Sequence, residues 1–128
     1  MTIAFIVGRA IVGVYFLMNA YNHIFKSEHM VGYAASKGLP SPKTAIVGSG
    51  LLMLVGGLSV LFGVAPQWGL AALLLFMIPV TFKMHDYWKE TDPMMKSNQR
   101  ISFMKNMAIV GFLLMAYAIP VPWNSLGF

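Results

Sequence analysis

Residues 44–62 read TAIVGSGLLMLVGGLSVLF and contain no charged side chain. The run is apolar on every side of a helix, whereas a helix on the surface of a soluble protein keeps a polar face. A helix needs roughly 20 mostly apolar residues to cross the hydrocarbon layer of a bilayer. This stretch therefore predicts a helix that spans a membrane.

Three more apolar runs flank it. Ile3–Tyr21 is interrupted only by Arg9 and Asn19, and two shorter runs reach a spanning length when a few flanking polar residues are included. The predicted fold is all-α, an integral membrane four-helix bundle in one domain over residues 1–128. The predicted spans are 3–22, 42–62, 68–86 and 101–119.

The composition agrees with a membrane protein. Of 128 residues, 58% are hydrophobic and 10% are charged, whereas soluble domains carry about 25% charged residues. Disordered tails and nucleic-acid modules are excluded, because they need low hydrophobicity or dense Lys and Arg. The chain has no cysteine, which excludes disulfides, thiolate metal sites and cysteine nucleophiles.

Helix-boundary residues mark the ends of these spans. Ser41-Pro42 and Asp92-Pro93 each combine an N-cap residue with proline in the first turn, which is typical of a helix start. Gly63 is typical of a helix end. Between the first two spans, Glu28–Lys37 carries apolar side chains along one side, which predicts a short interfacial helix.

The basic residues predict how the chain sits in the membrane. Every Lys and Arg except Arg9 falls in the two long loops or beside them, and all acidic residues are there too. Loops rich in Lys and Arg stay in the cytoplasm. We expect both termini outside and both long loops inside a bacterial cytoplasmic membrane. The loop residues are Lys26, Lys37, Lys43, Lys83, Lys89, Lys96, Arg100 and Lys105.

Arg9 lies within the first span, roughly 9 Å from its outer end at 1.5 Å per residue. No carboxylate is predicted at that depth, so we expect Arg9 to donate to backbone or hydroxyl oxygens. Pro79 removes the helical donor of the Leu75 carbonyl, which makes that carbonyl a candidate acceptor. Binding of an anion or carbonyl is the alternative. The predicted buried polar residues are Arg9, Asn19, Ser59 and Tyr117.

One face of the first helix carries Arg9, Gly13, Phe16, Ala20 and His23. These residues fall within about 40° of one helical face at 100° per residue. An arginine that faces lipid would be costly. We therefore predict that this face points into the bundle.

Polar side chains from three helices meet at the predicted cytoplasmic end. They form a candidate ligand-binding pocket, and a quinone fits it chemically because quinone carbonyls accept hydrogen bonds from His, Lys or Asn. The alternative is that the two histidines are hydrogen-bonded to Asp86 or Asn106. Zinc needs three or four ligands, and haem needs space between helices, so we predict no metal and argue against haem. The candidate residues are Asn22, His23, His85, Asp86, Lys105 and Asn106.

Short motifs occur in order along nearly the whole chain. They are Gly8-Arg9 with Gly13, Asn22-His23-Ile24-Phe25, GYAASKGLPSP at Gly32–Pro42, Gly56-Gly57, His85-Asp86-Tyr87-Trp88 and Phe103-Met104-Lys105-Asn106. This series resembles the DoxX family of small four-helix membrane proteins. The resemblance implies a membrane bundle and an association with membrane oxidoreductases, because the family takes its name from a subunit linked to quinone-dependent sulfur oxidation. It assigns no agreed catalytic residue.

These observations predict an accessory membrane subunit in redox or quinone chemistry, with a lipid bilayer, a redox partner or a second copy as its partners and no nucleic acid. Whether the chain is itself an enzyme stays open, because no self-contained catalytic motif is present. The alternative is a non-enzymatic scaffold or chaperone that packs on another membrane protein. Its contact surface would be the glycines Gly48, Gly50, Gly56 and Gly57.

Overall fold

The computed structural model describes residues 2–123, and every secondary-structure element in that range is a helix. Its elements are α1 (Ile3–Phe25), α2 (Glu28–Ser36), α3 (Pro42–Phe62), α4 (Pro66–Met84), a short 3-10 turn (Tyr87–Lys89) and α5 (Pro93–Tyr117). No strand occurs within residues 2–123. The prediction of an all-α protein is confirmed.

Three helical segments are long and apolar enough to cross a membrane: α1, α3 and Pro66–Lys89, which contains α4. The helix α5 is longer than each of these helices, but Lys105 and Asn106 interrupt its apolar part. It begins at Pro93, as the Asp92-Pro93 pair predicts, which is eight residues before the predicted span starts at residue 101. The structure thus supports three membrane-capable helices, and a fourth span stays a prediction.

The helix ends follow local chemistry in most places. The Asp92 side chain accepts from the Met95 amide at 3.1 Å, as expected of an N-cap. Gly63 ends α3 in the left-handed region, at φ 71°. Ser41 precedes α3 but makes no capping hydrogen bond through its side chain, because its backbone is itself left-handed. The predicted helix start at Ser41-Pro42 is nevertheless confirmed, because Ser41 is the N-cap and Pro42 the first residue of α3.

Neighbouring helices pack in the order α1, α3, α4 and α5, while α2 lies against α3. The buried face of α1 consists of the residues that periodicity predicts, namely Arg9, Gly13, Phe16, Ala20 and His23. That prediction is confirmed. The two ends of the bundle are called here the Arg9 end, where α1 begins, and the His23 end, where α1 finishes.

Glycines let α3 approach its neighbours closely. A Cβ added to Gly13 would lie 3.1 Å from the Gly57 carbonyl oxygen, and one added to Gly50 would lie 2.9 Å from the His23 Cβ. Gly50, Gly56 and Gly57 are all buried in this packing. The glycine contact surface suggested for a scaffold is therefore mostly used inside the chain. Only at Gly48, among these four, would a Cβ meet nothing within 4 Å.

Candidate ligand pocket

A cavity of about 410 Å³ lies at the His23 end of the bundle. It is lined by α1, α2, α3, α4, α5 and the residue that follows α4. Four of the predicted ligand-binding residues line it, and these are His23, His85, Lys105 and Asn106. The structure therefore places side chains from distant parts of the sequence around one space.

The deeper walls of the pocket are apolar. Phe16 and Met53 are almost fully buried, and Phe76, Met77 and Val80 complete this part. The Phe76 ring meets the His23 ring edge to face, with centroids 5.7 Å apart. A planar apolar ring with polar groups at its edge would match such a lining.

A chain of hydrogen bonds joins α2, α4 and α5 at the pocket. The Tyr33 hydroxyl donates to the Met84 carbonyl oxygen at 2.7 Å, and Gln99 Nε2 donates to the same hydroxyl at 2.6 Å. The other amide atom of Gln99, Oε1, lies 2.8 Å from His85 Nδ1. Because Oε1 can only accept, Nδ1 of His85 carries the proton and donates. In the uncharged tautomer with this proton, Nε2 can accept a hydrogen bond.

His23 is held in the same way but by its own helix. Its Nδ1 lies 2.8 Å from the Asn19 carbonyl oxygen, which can only accept, so Nδ1 donates here as well. The prediction that Asp86 or Asn106 would bond the two histidines is wrong. The actual acceptors are the Asn19 carbonyl and the Gln99 amide.

Two predicted ligand residues lie elsewhere. Asn22 is exposed on the outside of α1, one helical step from His23. Asp86 is buried but forms an ion pair with Lys37, which also approaches Glu90 at 3.5 Å. Asp86 therefore ties the end of α2 to the turn after α4 rather than facing a ligand.

The same pair affects the Lys37 ammonium. Desolvation on partial burial would lower its pKa, but the hydrogen bond and charge of Asp86 outweigh that effect and raise the pKa above its ordinary value. Lys37 consequently stays charged at neutral pH. The contact holds α2, with Tyr33, over the pocket.

Several lining residues were missed by the sequence analysis. Tyr33 and Gln99 contribute polar groups, and His29 and Ser102 also line the cavity. Gln99 stands seven positions before Asn106 and so shares its face of α5. Helical periodicity applied to α5 could have found Gln99. Nothing in the sequence of α2 indicates that Tyr33 would reach α4.

Arg9 lies at the opposite end and is 4% exposed. Its Nε donates to the Val60 carbonyl at 3.0 Å, Nη2 to the Leu61 carbonyl at 3.1 Å and Nη1 to the Trp123 carbonyl at 3.4 Å. The guanidinium carbon also lies 5.5 Å from the Phe5 ring centroid. The Leu75 carbonyl is not an acceptor of Arg9, and that expectation is wrong.

The other predicted buried polar residues are less enclosed. Asn19 and Ser59 are half-buried and bond locally, with Asn19 donating to the Tyr15 carbonyl and Ser59 to the Val64 carbonyl. Tyr117 is 47% exposed and is not a buried residue. With Leu74 and Ile78 of α4, it lines an open space between α4 and α5.

Within residues 2–123, no group of three or more His, Asp or Glu side chains is placed to hold a metal ion. The two histidines of the pocket each use Nδ1 in a hydrogen bond to the protein. This arrangement orients both rings and leaves the pocket as a set of hydrogen-bonding groups around an apolar space.

Comparisons with known proteins bear on the same part of the chain. The family model DoxX matches residues 4–86, which include Arg9, His23 and His85. No curated protein and no solved structure matches the chain. With most of its length matched and three membrane-capable helices, the chain is an integral membrane protein that belongs to the DoxX family.

Proposed function

We propose that this DoxX family member binds a quinone in the pocket at the His23 end and serves as an accessory subunit of a membrane redox system in a bacterial cytoplasmic membrane. The observation that carries the proposal is the cavity of about 410 Å³ with an apolar interior and polar groups from several helices. Its size falls within the range of about 300–1,000 Å³ typical of small-molecule sites.

The polar groups suit both redox forms of a quinone. The Lys105 ammonium and the Asn106 amide are donors for the carbonyl oxygens of an oxidised ring. Because Nδ1 of His23 and of His85 donates to the protein, Nε2 of each uncharged ring can accept, which suits the hydroxyl groups of a reduced quinol. Phe16 and Phe76 supply apolar contact for the ring itself.

An accessory role fits the chemistry of the chain. Reduction of a quinone takes two electrons and two protons, and the chain has no cysteine that could supply electrons from a thiol. A partner redox protein would supply the electrons. The residues of this pocket would orient the ring and hold protons near its oxygens.

Quinone binding is expected to depend on Asn106 and His85. Each of Asn106→Ala and His85→Ala should weaken the affinity for decylubiquinone about tenfold, which corresponds to the loss of one buried hydrogen bond. Titration calorimetry in detergent micelles measures this. Asn22→Ala is the matched control, because Asn22 is exposed and does not line the cavity. The proposal fails if the wild-type protein shows no saturable binding, or if both pocket variants bind as tightly as the control.

We also propose that α5 from about Ile101 forms a fourth span and that both termini face outward. His23 and His85 line one cavity, so the ends of α1 and α4 lie at one level. Every basic residue except Arg9 belongs to the two loops, or the adjoining helix ends, that follow α1 and α4. This distribution supports a cytoplasmic His23 end.

This orientation predicts which loops are accessible from outside. Because the chain has no cysteine, single cysteines at the exposed positions Gln67 and Ser97 can be labelled without background. In intact cells, a membrane-impermeant maleimide should label Gln67→Cys and should label Ser97→Cys only after lysis. The reverse pattern would invert the orientation, and labelling of both in intact cells would mean that α4 does not cross the membrane. A cysteine at the exposed residue Val121, after α5, tests the fourth span. It should be labelled in intact cells, and labelling only after lysis would remove the fourth span.

A further inference from the structure

Another cavity, of about 430 Å³, lies between α3 and α4 at the His23 end. We call it the α3–α4 groove. It shares a wall with the ligand pocket, and its remaining lining is apolar or small except for Lys83. That remaining lining consists of Leu39, Thr44, Ala45, Gly48, Ser49 and Leu52 on one side and Leu75, Pro79 and Lys83 on the other.

The groove exists because the contacts that α3 makes with α4 differ between the two ends of α3. Towards the Arg9 end, Gly56 lets the backbone of α3 lie against α4, and a Cβ there would be 2.9 Å from the Gly69 carbonyl oxygen. Towards the His23 end, small residues at Ala45, Gly48 and Ser49 face α4 across empty space. A Cβ on Gly48 would meet nothing within 4 Å. These small side chains leave a slot about 12 Å long, given a rise of 1.5 Å for each residue from Thr44 to Leu52.

The slot opens on the outer surface of the bundle. Thr44 and Ala45 at its rim on α3 are exposed, and so is Leu75 on α4. In a bilayer this surface is covered by hydrocarbon, since two membrane-capable helices form its sides. An acyl chain is thus the molecule that can fill a slot with these walls.

The charges at the end of the groove select a lipid class. Lys83 lines the groove and is exposed, and the exposed Lys43 directly precedes the lining residue Thr44. None of the described residues that line the groove is acidic. A basic side chain beside an apolar slot matches a negatively charged phosphate above an acyl chain.

We propose that the α3–α4 groove is a binding site for one anionic phospholipid, with an acyl chain between Gly48 and Pro79 and its phosphate beside Lys83. The site does not depend on the proposed quinone binding. A lipid in this place packs against the back of Phe76 and Val80, which are wall residues of the pocket.

Native mass spectrometry of the protein released from nanodiscs tests this. The nanodiscs contain phosphatidylglycerol and phosphatidylcholine in equal amounts. We expect one bound phosphatidylglycerol on the wild-type chain and loss of that adduct in Gly48→Leu, whose side chain fills the slot. Gly111→Leu is the matched control, because a Cβ on Gly111 also meets nothing within 4 Å and Gly111 lies on α5, outside the groove.

A second variant tests the headgroup separately. Lys83→Gln should keep a bound lipid but lower its preference for phosphatidylglycerol about fivefold, the effect of one basic residue near an anionic lipid. Thermal unfolding confirms that both variants are folded. Wild-type adduct levels in folded Gly48→Leu would overturn the proposal, and so would equal occupancy by the two lipids in the wild type. A dimer that Gly48→Leu dissociates would place a second copy in the groove and would overturn it as well.

Discussion

Arg9→Leu is expected to lower the free energy of unfolding by about 3 kcal/mol, because it removes charge-assisted hydrogen bonds to buried carbonyls. Two of the acceptors, the Val60 and Leu61 carbonyls, belong to the last turn of α3. The last four carbonyls of a helix have no partner within it, and a positive charge there is favourable. Arg9 thus caps α3 from the neighbouring helix, and leucine would leave both carbonyls without a donor.

The measurement is an unfolding titration with sodium dodecyl sulfate in mixed micelles. Arg100→Leu serves as the control, since Arg100 is also an arginine on a long helix but is exposed. It should change the free energy of unfolding by less than about 0.5 kcal/mol. Arg9→Lys should fall between the two, because a single ammonium cannot reproduce the fork of the guanidinium. Equal stability of Arg9→Leu and Arg100→Leu would mean that the cap contributes nothing.

The part of the fold that could be predicted from the sequence is the part governed by periodicity and hydropathy. A helix turns 100° at each residue, so the spacing of Arg9, Gly13, Phe16, Ala20 and His23 determines their common face before any neighbour is known. The apolar runs give α1, α3 and α4 in the same way, because burial in lipid demands unbroken hydrophobicity.

Contacts between helices could not be predicted in that way. Leu75 was a reasonable acceptor for Arg9 by depth alone, but depth does not indicate which helices are adjacent. The structure packs α1 against α3, so the Val60 and Leu61 carbonyls at the end of α3 are within reach. Likewise, Asp86 stands next to His85 in sequence, yet it turns to Lys37 because α2 folds back over the end of α4.

The pocket residues also divide into those that the sequence indicates and those that depend on contacts between helices. His23 and His85 stand where the apolar runs of α1 and α4 end, so hydropathy already indicates that they lie at the same depth. Tyr33 enters through α2, whose position depends on its hydrogen bond to the Met84 carbonyl and not on any pattern in its own sequence. Gln99 is intermediate, because its spacing from Asn106 is visible in the sequence, but it lies in the first turns of α5, before the predicted span of residues 101–119.

Gly56→Leu is expected to prevent stable packing of α3 against α4 and to have the largest effect of any single glycine change in α3. A Cβ at this position would overlap the Leu73 side chain and lie 2.9 Å from the Gly69 carbonyl oxygen. The backbone oxygen cannot move without moving α4. Overpacking of this kind costs about 1–3 kcal/mol for small additions, so Gly56→Ala should already be destabilised, and leucine should leave little folded protein.

The controls are expected to change stability in the opposite direction. Leucine is a better helix former than glycine by almost 1 kcal/mol on the propensity scale, so Gly48→Leu and Gly111→Leu should be as stable as the wild type or slightly more stable. In both, the new Cβ has open space. The same detergent titration compares all four variants. If Gly56→Leu unfolded at the same detergent fraction as its controls, the close approach of α3 to α4 at Gly56 would be wrong, and so would its contrast with the open space at Gly48 in the α3–α4 groove.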